Sequence, residues 1–152
     1  MGGEIMAKGL IRYLSVCSGI EAATMAWHPL GWRPVAFAEI EAFPSAVLAH
    51  HYPDVPNLGD LTRYEEWPEE LLAKVDVLVG GTPCQAFSVA GERKSLEDER
   101  GNLTLTYARL LDRIDGARRR AGRPAALCLW ENVPGDRKVV VVVVVFVVVG
   151  VV

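Results

Sequence analysis

Paired cysteines, clustered histidines and membrane-length hydrophobic segments are all missing from this chain, and each absence removes a class of protein. Its 152 residues hold three cysteines, Cys17, Cys84 and Cys128, too few and too widely spaced for a disulfide framework or paired zinc-ligand motifs. The three histidines, His28, His50 and His51, have no ligand-like spacing, so no metal is expected. The first ten residues carry one lysine and no apolar core ahead of a small-residue cleavage site. Secretion is therefore unsupported, and a cytoplasmic location is expected. The long apolar run Val139 to Val152 covers only 14 residues, short of the roughly 18 to 20 that cross a bilayer as a helix.

What is present is enough apolar sequence for one compact domain, with 51% hydrophobic and 23% charged residues. Disorder and collagen-like structure are excluded. Twelve of the last 14 residues are valine, so the fold is to be read from the sequence up to about Lys138. Charge is uneven: residues 1–79 hold 5 Lys/Arg against 11 Asp/Glu, whereas residues 92–123 hold 9 against 6. A basic second half suits a polyanion, although the same charges serve equally as a solvated face.

Apolar runs alternate with segments of helical period. Leu10 to Val16, Pro34 to Ala38, Val75 to Val79 and Leu127 to Trp130 read as buried strands. Between them, Ile20, Ala23, Trp27 and Leu30 share one helical face, as do Phe43, Ala46, Val47 and His50. Glu65 to Lys74 reads as a polar helix, and Leu103, Tyr107, Leu110, Leu111 and Ile114 mark an amphipathic one. Strands separated by helices predict a doubly wound α/β domain with a mostly parallel sheet and right-handed crossovers. Ligands of such sheets sit beyond the carboxyl ends of the strands. Those ends carry Cys17 to Glu21, Ala38 to Glu41, Gly80 to Gln85 and Glu131 to Val133.

Each strand end offers a chemistry and a plainer alternative. Ser18-Gly19-Ile20-Glu21 is a degraded nucleotide-binding turn, or simply a strand-to-helix turn that uses glycine. Glu39 lies 20 residues after Gly19, the separation suited to a carboxylate that holds ribose hydroxyls; it serves equally as a helix-start acid. Cys84 sits in a glycine-flanked loop rather than an apolar strand, the setting a nucleophilic thiol needs. Cys17 and Cys128 read as small buried hydrophobes. Glu131, on a neighbouring strand end, could supply a proton to a ring that the thiol attacks. Arg118, Arg119, Arg120 and Arg123 close a long helix, where they complement its dipole. The four tryptophans read as packing residues.

Gly81-Thr82-Pro83-Cys84-Gln85-Ala86-Phe87-Ser88-Val89-Ala90-Gly91 and Trp130-Glu131-Asn132-Val133, in this order after the first-strand turn, resemble the cytosine-C5 DNA methyltransferase family over roughly residues 11–135. The resemblance implies a Rossmann-like fold that uses S-adenosylmethionine. It assigns catalysis to Cys84 and Glu131, and the substrate pocket to Pro83, Gln85, Asn132 and Val133. The cofactor falls to Ser18, Gly19, Ile20, Glu39, Ile40, Asp60, Gly80 and Leu103. The implied partner is double-stranded DNA with a flipped target cytosine, bound by a monomer without metal or membrane, with Arg93 and Lys94 near phosphates. Cys17 stands where the family usually has an aromatic residue, and Glu21 where it has a second glycine.

Residues 1–10 are expected to be a tail, 11–135 a partial catalytic domain and 136–152 a valine-rich tail that is disordered or drives aggregation. The alternative for that tail is a strand beside Leu127 to Trp130 that uses about five or six of its residues. As given, the chain is expected to be a truncated and inactive fragment. A tRNA cytosine-C5 methyltransferase relative and a noncatalytic nucleotide-binding module are the competing functions.

Overall fold

The computed structural model describes residues 10–82, 102–132 and 142–146. Five strands form one sheet in the order β2-β1-β3-β4-β5. They are β1 (Arg12–Val16), β2 (Arg33–Ala38), β3 (Val77–Gly81), β4 (Leu127–Asn132) and β5 (Val142–Phe146). The first four are mutually parallel, and β5 runs antiparallel to β4. The helices are α1 (Ala22–Trp27), α2 (Ala42–His51), the single turn α3 (Glu69–Leu72) and α4 (Asn102–Arg120). This is the doubly wound arrangement expected from the sequence, with the direction of travel along the sheet reversing at β1.

The two faces of the sheet have separate cores. On one, Leu14, Val16, Leu78 and Cys128 pack against Tyr107, Leu110 and Ile114 of α4 and against Trp67 and Leu72. On the other, Tyr13, Val77 and Val79 meet Ala23, Trp27 and Trp32. Trp27 stands edge-on to Tyr13 at 5.0 Å between centroids. The packing role expected for the tryptophans holds for these residues.

Several boundaries differ from the sequence reading. The helix expected over Glu65 to Lys74 is a 3-10 stretch, Leu61–Glu66, followed by α3. Pro68 divides them, and Trp67 before it is extended at φ −71°, ψ 142°, because a residue preceding proline is pushed out of the helical region. α1 stops at Trp27 and gives way to a 3-10 turn containing Pro29. Ile20 therefore precedes the helix, exposed, and Leu30 is exposed as well. In α2 it is Leu48 that is buried, while Phe43 is 74% exposed, so the apolar spacing chosen for that helix marks the wrong face. α4 runs on to Arg120, past the last periodic leucine and isoleucine.

Gly80 and Gly81 belong to β3 rather than closing it, since they pair with Trp130 and Glu131. A Cβ on Gly80 would overlap the Val16 carbonyl of β1. Only glycine lets the strands approach this closely. Five residues of the valine tract pair with β4, in register from Asn132↔Val142 to Cys128↔Phe146. For these residues the strand alternative holds, because β4 would otherwise present an unpaired ladder.

At the amino ends of the strands Asp76 gathers three arginines. Its Oδ1 lies 2.9 Å from Arg118 Nη1 and 2.8 Å from Arg123 Nη2. Its Oδ2 accepts the Arg12 backbone N–H at 2.9 Å. Arg118 is only 3% exposed and also donates to the carbonyls of Val75 and Pro124. The basic end of α4 thus locks helix to sheet, a tertiary role beyond the dipole effect read from the sequence.

Candidate active site

The carboxyl ends of β1 and β2 build the first half of the site. After β1 the chain turns through Cys17, Gly19 and Glu21, all with positive φ (50°, 54° and 72°). Ser18 ties this turn to β2: its hydroxyl donates to the Ser15 carbonyl at 2.8 Å and accepts the Ala38 N–H at 3.3 Å. Gly19 N–H donates to Glu39 Oε2 and Glu41 N–H to Glu39 Oε1, each at 2.8 Å. The Glu39 carboxylate is thereby held between the two strand ends. Asn57 fixes the Glu39 backbone, accepting its N–H and donating to its carbonyl, both at 3.0 Å.

Glu21 is fully buried. Its Oε1 accepts the Thr24 N–H at 3.0 Å and the Thr24 hydroxyl at 3.1 Å, capping α1. Burial raises its carboxyl above the ordinary range, an effect that Ser15 and Thr24 reduce. Burial also pushes the Cys17 thiol up to about 11, with the Glu39 charge adding to it. That thiol is consequently neutral, in keeping with an unreactive cysteine.

A cleft of about 290 Å³ opens between these turns, the Gly59-Asp60 turn and the start of α4. Of the residues assigned to the cofactor, Gly19, Glu39, Ile40, Asp60 and Leu103 line it together. Ser18, Ile20 and Gly80 are not among its lining residues. Ser18 is spent on tying the two strands, Ile20 is 63% exposed, and Gly80 is buried against β1. The lining also includes Cys17, Glu41 and Gly81, which were not assigned. The strand-end rule was the signal that could have found them, since all three sit at a strand end.

The second half lies where β3 and β4 end side by side. Gly81 pairs with Glu131, and a Cβ on Gly81 would fall 2.5 Å from Glu131 Oε2. The Glu131 carboxyl thus lies against the strand end that leads into Pro83-Cys84-Gln85. Pro83, Cys84, Gln85, Arg93, Lys94 and Val133 are outside the described residues, as is the side chain of Asn132. Trp130 Nε1–H donates to the Thr82 hydroxyl at 3.2 Å, and the Thr82 and Thr104 hydroxyls are 3.1 Å apart. Among the described residues no group of three or more His, Cys, Asp or Glu could hold a metal ion. No helix among them is long and apolar enough to cross a membrane.

A doubly wound sheet with a carboxylate-lined cleft at the strand ends nearest its reversal point defines the class of α/β domains that bind nucleotide-like cofactors. Within that class the chain belongs to the C-5 cytosine-specific DNA methylase family, whose model matches residues 11–138. It is 57% identical over 126 residues to a protein of Escherichia phage P1 named DNA N-6-adenine-methyltransferase, covering 81% of this chain and 16% of the relative. To the type II methyltransferase M.NlaIV of Neisseria lactamica it is 39% identical over 138 residues, covering 84% of this chain and 30% of that one. The chain therefore spans about a sixth to a third of the length of these curated relatives.

Among solved structures it resembles a DNMT2 of Spodoptera frugiperda, with a TM-score of 0.58 and 26% identity over 82% of this chain and 36% of that one. The S. pombe Dnmt2 methyltransferase shares the fold, with a TM-score of 0.59 at 19% identity over 82% of this chain and 37% of that one.

Proposed function

We propose that residues 11–135 carry the cofactor cleft and the reacting groups of an enzyme that methylates C5 of cytosine in DNA. The observation that carries the reading is the Gly81↔Glu131 register, which sets the Glu131 carboxyl beside Gly81, the residue that precedes Cys84 by three in sequence. The substrate is double-stranded DNA with its target cytosine turned out of the stack, because a side chain cannot reach the ring inside a duplex.

The cleft suits S-adenosylmethionine. Each Glu39 oxygen accepts one backbone N–H, which leaves lone pairs for ribose hydroxyls. Ile40 and Leu103 offer apolar walls to the adenine and Asp60 an acceptor for its amine. Gly19, which lines the cleft at the turn after β1, faces the methionine end. When bound, S-adenosylmethionine supplies an electrophilic sulfonium methyl group.

The Cys84 thiolate adds to C6, forming an S–C6 bond, while Glu131 holds a proton on N3 so that charge does not build up on the ring. The C5 carbon gains the displaced electron density and becomes the nucleophile toward methyl. Loss of the C5 proton to a base then restores the C5–C6 double bond and expels Cys84 as thiolate. Pro83, Gln85, Asn132 and Val133 shape the pocket around the base.

The name of the phage P1 relative favours a second reading, transfer to N6 of adenine. An exocyclic amine attacks methyl directly and needs no enzyme thiol, so Cys84 separates the two readings. The test is a chimera in which this chain's residues 11–135 replace the matching segment of that relative. With S-adenosylmethionine and 5-fluorocytosine DNA it should form a covalent adduct, because fluorine blocks the final proton loss, and Cys84→Ser should abolish it. On ordinary DNA, nucleoside analysis should find 5-methylcytosine. N6-methyladenine as the sole product, or trapping that survives Cys84→Ser, would sink the proposal.

A further inference from the structure

Asn57 stands beside the cleft without lining it, and its exposed side chain uses every hydrogen-bonding position it has. Its Oδ1 accepts the Glu39 N–H at 3.0 Å and the Gly59 N–H at 3.1 Å. Its Nδ2 donates to the Glu39 carbonyl at 3.0 Å and to the Ser45 hydroxyl at 3.2 Å. An amide oxygen has two lone pairs and an amide nitrogen two hydrogens, so the opposite rotation would set hydrogens against two N–H donors. Glu39 lies between the end of β2 and the start of α2, where neither strand nor helix holds its backbone. Asn57 supplies both missing partners, and the same oxygen reaches the Gly59-Asp60 turn that lines the cleft with Glu39. Because the side chain is exposed, water could replace these bonds at little cost in stability. What the four of them fix is relative position.

We infer that the Asn57 side chain is a positioning group that fixes the Glu39 carboxylate against the Gly59-Asp60 turn, and so the spacing between the ribose and adenine sites. This rests on the proposed S-adenosylmethionine cleft. Asn57 touches neither cofactor nor substrate and acts through the Glu39 backbone. Without it, the Glu39 carboxylate loosens from the Gly19 and Glu41 amides that it accepts, while the sheet and both cores stay intact.

The first test needs no cofactor. Amide hydrogen exchange of the full chain, followed by nuclear magnetic resonance, reads Gly19 and Glu41, whose N–H groups donate to the Glu39 carboxylate and not to Asn57. Asn57→Ala should speed both roughly two- to tenfold, the scale set by one lost hydrogen bond, relative to the Leu78 and Leu129 amides of β3 and β4. Unchanged exchange at Gly19 and Glu41, with or without a change at Glu39 and Gly59, would make Asn57 a local tie and overturn the inference. If Leu78 and Leu129 speed up as much, Ser45→Ala decides, because it removes a partner of both Asn57 and the Glu39 carbonyl and leaves Asn57 in place. The inference falls if that variant leaves Gly19 and Glu41 no faster than the β3 and β4 amides. The second test is S-adenosylmethionine affinity by calorimetry. Asn57→Ala should weaken it roughly two- to tenfold. Added to Glu39→Ala, the same change should weaken it by less than about twofold more, because a residue that acts through another is not additive with it. Losses that multiply would overturn the inference. A parent chain that does not bind S-adenosylmethionine removes the cofactor reading, and exchange at Gly19 and Glu41 still decides whether Asn57 places Glu39.

Discussion

Replacing Asp76 by alanine should be among the most damaging single changes outside the two cores. The carboxylate serves three arginines, but they differ in burial. Arg12 and Arg123 are about one-third exposed, and solvent screens their shares to a few tenths of a kcal/mol each. The Arg118 side chain is 4% exposed, and losing its partner strands a buried guanidinium, which typically costs about 3–5 kcal/mol. Its bonds to the Val75 and Pro124 carbonyls remain, so the lower end of that range applies, about 3 kcal/mol. For a chain of this length that lowers Tm by roughly 10 °C. Thermal unfolding followed by circular dichroism measures it. The double variant Asp76→Ala/Arg118→Met should recover part of the loss, because an apolar group of similar length no longer needs a counter-charge. A drop under about 2 °C for Asp76→Ala would refute the reasoning, since it would place the cluster in the range of exposed ion pairs.

Glu21→Gln tests the buried acid of the first turn. Because the folded protein holds this carboxyl above its ordinary range, the stability present below the unfolded value, about 4.3, is lost as pH rises through the folded value. Thermal melts should show the glutamine variant gaining on the parent as pH rises from about 4 toward neutrality, and a difference independent of pH would count against it. Glu39→Ala removes the acceptor of the Gly19 and Glu41 amides and should weaken S-adenosylmethionine binding at least about tenfold; calorimetry with an affinity within twofold of the parent would contradict the ribose role. A chain ending at Phe146, which keeps β5, should be more soluble than the full chain, because uncharged valines without proline pair readily with other chains. Equal solubility, with the tract resistant to protease, would show that more of it than β5 belongs to the fold.

The local features came from the sequence alone because they depend on neighbours within a few residues. Alternating buried strands and amphipathic α4 are such features, as is the glycine turn after β1. The joint presence of Pro83-Cys84-Gln85 and Glu131-Asn132-Val133 is legible as well, because a motif is a run of adjacent residues, and it points to the family. Tertiary structure decided what depends on residues far apart in the chain. Asp76 meets Arg118 and Arg123 only because α4 returns across the sheet. Cys17 faces the cleft only because the turn adopts positive φ at three residues. Leu48 rather than Phe43 is buried in α2, since the sheet and not the helix period selects the face. Gly81 lies against Glu131, and Thr82 joins Trp130 to Thr104, through strand register and helix placement. Register is a property of two strands at once, and no window along a single one contains it.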